Sequence, residues 1–116
     1  MHRILIWTDR HNWLSSEKYP EIHRRFCVSR LDNIQHDLDT GGMLVVDGEI
    51  LRRQLDTVRK LARDSRTVPL PVIAVGNDSD REDWEWEDWV LDVISEVPTE
   101  KELLRSLRRA SSLVDS

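Results

Sequence analysis

Residues 43–50 read Met43-Leu44-Val45-Val46-Asp47-Gly48-Glu49-Ile50. Four apolar residues run into Asp47, and Gly41-Gly42 and Gly48 bound the run. An unbroken apolar run of this length, rather than an alternating one, is the pattern of a strand buried on both faces. Such strands belong to parallel sheets covered by helices. An acid at the carboxyl end of one sits where open α/β sheets keep their functional groups.

The flanking sequence repeats the pattern. Arg3 to Thr8 (RILIWT) reads as a first buried strand, with Asp9 just past its end. Residues 10–24 are polar around Trp13, Leu14, Tyr19 and Ile22, and Pro20 suits only a first helical turn, so a short or broken helix is expected there. Arg25 to Ser29 reads as a second strand. Leu31, Ile34 and Leu38 line one face of a helix over 31–39, stopped by Gly41-Gly42. After the central strand, Leu51, Leu55, Val58 and Ala62, with Leu61 alongside, give a single amphipathic helix. Pro71 to Val75 is a fourth strand and Leu91 to Ile94 a fifth. Thr99 and Glu102 have the spacing of a capping box that opens a last helix with Leu103, Leu104, Leu107, Ala110 and Val114 on its buried stripe. Alternation of this kind predicts an α/β fold: a flavodoxin-like, doubly wound, five-stranded parallel sheet in the order 2-1-3-4-5, with residues 1–116 as one domain.

Composition narrows the function classes. A net charge of −5 and a pI near 5.3 argue against nucleic acid or an anionic membrane as partner. The lone Cys27 excludes an internal disulfide and suits a reducing compartment. No 18-residue apolar run and no signal-peptide core are present, so a cytoplasmic location is expected. The four histidines lack ligand spacing, and no P-loop, dinucleotide fingerprint or nucleophile elbow occurs.

In the expected strand order the first and third strands are neighbours, which brings Asp9 and Asp47 to the same edge. Two carboxylates there form a weak oxygen site for Mg²⁺. Without a cation, at 4 Å and an effective dielectric of 20, they repel by about 4 kcal/mol. Such a pair holds a metal, shares a proton, or splays apart.

RILIWTD, MLVVDGE, VPLPVIAV and VISEVPTEKELLRSLRRA follow one another in the order and over the length of the receiver domains of two-component response regulators, which the chain resembles over nearly all of its span. The resemblance implies a CheY-like fold, Asp47 as the phosphoryl acceptor of a phosphorelay and Asp9 as a Mg²⁺ ligand. It also exposes departures. Of the family's two acids after the first strand, Asp9 matches the second and Thr8 stands at the first. Gly76 replaces the hydroxyl residue after the fourth strand. Val97, or Glu96 one residue earlier, replaces the family's lysine. Val93 or Ile94 falls at its aromatic switch position. A phosphoaspartate needs partners for its charge, worth about 1.5–3 kcal/mol each. A ligand shifts an equilibrium only through contacts that differ between two states. Loss of the lysine and the hydroxyl therefore points to a degenerate receiver, a pseudo-receiver acting by protein–protein interaction without catalysis of its own.

Residues 78–89 (DSDREDWEWEDW) set Trp84, Trp86 and Trp89 among seven acids. Trp86, Trp89, Val90 and Val93 fit one helical face; Trp84 does not, and reads as an exposed interface residue. In receivers the face formed by the fourth helix, fifth strand and last helix serves protein partners and homodimerisation, which makes these tryptophans the candidate partner-binding residues. On this reading Trp84→Ala weakens association and leaves thermal stability nearly unchanged. No cofactor is implied beyond Mg²⁺. Two further readings stay open: a working phosphoacceptor, loaded at Asp47 by a histidine kinase with Mg²⁺ and signalling to an output protein, and an unrelated flavodoxin-like domain for a small molecule.

Overall fold

The structure, a computed structural model, describes residues 2–30, 42–63, 70–76, 82, 84 and 88–115. Strands form where the β-branched and apolar runs lie: β1 (Arg3–Trp7), β2 (Cys27–Arg30), β3 (Met43–Asp47), β4 (Val72–Val75) and β5 (Val90–Ile94). They make one sheet in the order β2-β1-β3-β4-β5, with every pairing parallel. The molecule is an α/β protein with a flavodoxin-like fold. The described helices are α1 (Pro20–Arg25), α2 (Gly48–Arg53), α3 (Leu55–Arg63) and α4 (Glu100–Asp115). No helix among the described residues is long and apolar enough to cross a membrane.

The period-two geometry of the strands divides the core into two layers. Ile4, Ile6, Met43, Val45, Ile73, Val75 and Ile94 join Ile22 of α1 and Leu103, Leu107 and Ala110 of α4 on one face. Leu5, Leu44, Val46, Val72, Ala74 and Val93 join Ile50, Leu51, Val58 and Ala62 on the other. β3 is at the centre and is buried along its whole length. Each of its apolar side chains removed from water is worth about 1.5–3 kcal/mol. Gly42 leads into β3 with φ +123°, where a Cβ would stand 2.7 Å from the Arg3 carbonyl oxygen, so the entry to the central strand requires glycine.

Local departures from expectation have local causes. The helix after β3 starts at Gly48, directly at the strand's end, because the Asp47 carboxylate caps it by accepting from Glu49 N. It is not one rod. Gln54, at φ −119° and ψ 28°, bends it into α2 and α3, although Gln54 N still donates to Ile50 O and Val58 N to Gln54 O. Pro20 occupies the first turn of α1. The second strand begins two residues later than expected, and Cys27 is exposed on it rather than buried. The helix expected over 31–39 lies outside the described residues. At α4, Thr99 Oγ1 accepts from Glu102 N at 3.1 Å, but the Glu102 carboxylate turns to Ser95 N, at 2.7 Å, instead of completing the box.

The tryptophan segment corrects the sequence reading. Trp84 is 3 % exposed and Trp89 8 %, both within the core layer of α2 and α3. Trp89, Val90 and Val93 belong to a turn and β5, not to a helical face. Trp84 and Trp89 are therefore core residues and are not available as contact residues for a partner; Trp86 lies outside the described residues. The reason is areal: an indole buries more apolar surface than any other side chain, and here two of them join the layer over β4 and β5 beside α3. Trp84→Ala should destabilise the fold by about 3–5 kcal/mol, read by urea denaturation. Melting alongside wild type would put the indole outside the core.

Two contacts clamp α1 to the start of α4. The Tyr19 hydroxyl donates to Pro98 O at 2.6 Å, and the Glu100 carboxylate accepts from Glu21 N at 2.9 Å and Ile22 N at 3.4 Å. Burial, then the charges of Glu100 and Glu102, push the Tyr19 phenol above its ordinary value. With the folded value raised, the neutral phenol's contribution is complete below the unfolded value of about 10 and is lost as pH rises through the folded one. The chain has one tyrosine, so phenolate absorbance reports it directly. Ionisation should come at higher pH in the native protein than in denaturant, and Tyr19→Phe should cost about 1 kcal/mol near neutrality while flattening the alkaline loss.

Candidate functional site

The parallel register sets up the carboxyl edge. Trp7 pairs with Val46, and Asp47 with Val75, so Thr8, Asp47 and Gly76 follow one another across the ends of β1, β3 and β4. Asp47 is 1 % exposed. A carboxylate so buried is costly unless both oxygens are met. Thr8 Oγ1 donates to Oδ2 at 2.8 Å, and Glu49 N donates to Oδ1 at 3.3 Å. Arg10 supplies the countercharge: Nη2 donates to Oδ1 at 3.2 Å, and Nε lies 2.9 Å from Oδ2.

The arrangement closes on itself. Arg10 N donates to Thr8 Oγ1 at 3.0 Å, so the hydroxyl that serves Asp47 also fixes the backbone bringing in Arg10. The guanidinium continues outward to Glu96 Oε1, 3.4 Å from Nη2, and stands 5.9 Å from the centre of the Trp13 ring. On the β2 side, Arg30 Nη2 donates to Thr8 O at 3.0 Å. No buried side-chain nitrogen or oxygen among the described residues lacks a partner.

The other residues singled out in the sequence occupy different surroundings. Asp9 is largely exposed and pairs with Arg53, so the two acids of the expected Mg²⁺ pair each hold an arginine and splay apart. Gly76 is buried and donates its N–H to Ile94 O at 3.0 Å; no hydroxyl stands there. Val97 is 77 % exposed and Glu96 bonds Arg10. Val93 and Ile94 are buried on opposite faces of β5.

As arranged, these residues do not fit Mg²⁺. The ion needs carboxylate oxygens with free lone pairs, whereas both Asp47 oxygens face N–H and O–H donors, and no group of three or more metal-ligating side chains occurs among the described residues. Both oxygens of the Asp47 carboxylate are thus engaged by donors of the chain itself. Arg10 is the residue the sequence reading missed. Its signal was indirect: an acid placed in a fully apolar strand requires a cation, and Arg10 is the first basic residue after the neighbouring strand. Comparison with known protein families, with curated proteins and with solved structures gives no match to the chain.

Proposed function

We propose that the chain is a degenerate receiver-like module of signal transduction. It works by binding a protein partner or a second copy of itself, and it neither accepts a phosphoryl group at Asp47 nor catalyses a reaction. The single observation that carries this reading is the state of Asp47, whose two oxygens are taken up by Thr8, Arg10 and Glu49 N of its own chain. In-line attack on a phosphoryl donor needs an oxygen free to bond to phosphorus and cations around the transferred group. Here Gly76 and Val97 add neither hydroxyl nor ammonium.

The face made by β5 and α4 remains the proposed partner surface, with different residues. Trp84 and Trp89 are inside the protein. Lys101, Arg105 and Arg108 are exposed on α4 at i, i+4, i+7 spacing and give that face a positive stripe in an otherwise acidic chain. Charge of this kind favours an acidic partner surface and makes association sensitive to salt.

Incubation with Mg²⁺ and acetyl phosphate, or with beryllofluoride, tests the reading by intact mass and amide NMR. No Asp47-dependent adduct and no shift at Asp47, Gly76 or Val97 are expected. An adduct present in wild type and lost in Asp47→Asn would establish a working phosphoacceptor instead.

A further inference from the structure

We propose that the Arg10 guanidinium is the resident cation of Asp47, supplied by the chain itself, and that it ties the carboxyl ends of β1, β3 and β5 into one unit. This stands on the geometry of the edge and is independent of the receiver reading.

Charge and position carry it. Asp47 lies at the end of the central strand, which is buried along its whole length, and its carboxylate is nearly inaccessible to water. A lone buried anion is disfavoured, and hydrogen bonds from Thr8 and Glu49 N leave its charge unmatched. Arg10 matches it, engaging both oxygens. The side chain of Arg10 is 33 % exposed and that of Asp47 2 %, so the guanidinium is the solvent-facing member of the pair.

Position along the chain gives Arg10 its second role. Its backbone is fixed to Thr8, its Nε and Nη2 to Asp47, and Nη2 also to Glu96, which is 86 residues away in sequence. The carboxyl ends of three different strands, β1, β3 and β5, thus share one side chain. Arg10 is a positioning residue: it holds Asp47 and Glu96 without performing chemistry. The state of the edge is set by the chain itself and is indifferent to divalent cations.

The test compares wild type, Arg10→Ala, Asp47→Asn and the double variant by thermal melting, in EDTA and in millimolar Mg²⁺ at matched ionic strength. Arg10→Ala should melt lower by roughly 10 °C or more in EDTA, the scale set by leaving one member of a buried ion pair unmatched. Adding Asp47→Asn should recover about half of that loss or more, because the amide carries no charge to match. Mg²⁺ should raise the melting temperature of Arg10→Ala and leave wild type where it was. Arg10→Lys should lose less than Arg10→Ala, and amide signals of Glu96 and Val97 should shift in Arg10→Ala. Should Arg10→Ala not fold, folding of the double variant supports the proposal and failure of both overturns it. It is equally overturned if Arg10→Ala melts with wild type, if the double variant melts no higher than Arg10→Ala, or if wild type gains as much from Mg²⁺ as Arg10→Ala.

Discussion

A carboxylate sits at the end of the central strand, which is buried along its whole length, and the carboxyl edge is arranged to make that tolerable. Asp47 is held by a hydroxyl from the end of β1, a backbone N–H from the first turn of α2 and the guanidinium of Arg10. Each contact has a structural consequence beyond Asp47. The Thr8 bond ties β1 to β3 one residue past their last paired positions. The Glu49 bond starts α2 without an intervening loop. The Arg10 bond draws in the β5–α4 connection through Glu96. Removal of the charge at Asp47 would remove the reason for the other three.

The same constraint explains how a carboxylate is accommodated at the end of a fully buried strand. Thr8 and Arg10 are only two residues apart, and together they neutralise and hydrogen-bond a side chain that would otherwise be a buried, unmatched anion. Asp47 thus has a structural use at this edge. At Gly76 the edge offers only a backbone N–H to Ile94, and at Val97 an exposed aliphatic side chain.

The fold was legible because the strands announce themselves. MLVV, RILIW and VIAV are continuous apolar runs, and buried parallel strands leave little other reading. The strand order followed from the alternation with helices and the right-handed crossover. What was not legible depended on tertiary contacts. The bend at Gln54 leaves the hydrogen bonds at 50–54 and 54–58 intact and has no Pro or Gly to mark it. Trp84 looked exposed because its neighbours are acidic and its helical phase is poor, but the burial of an indole is decided by the surface of β4 and β5 beneath it. Asp9 and Asp47 were placed correctly at one edge; side-chain direction, set by Arg53 and Arg10, separated them. Arg10 itself lay in a polar stretch where nothing local distinguished it from a solvated side chain.

The ring of Thr8, Arg10, Asp47 and Glu96 joins residues far apart in the chain: 39 positions separate Thr8 from Asp47, and 86 separate Arg10 from Glu96. Its loop-closure entropy is met only after β1 has paired with β3 and β5 has reached the sheet. The Arg10–Glu96 contact can form only once β5 has joined the sheet. An interaction absent from the transition state does not speed folding; it slows unfolding. A contact made that late would act as kinetic protection for the native sheet, with its weight in the unfolding arm of a chevron plot.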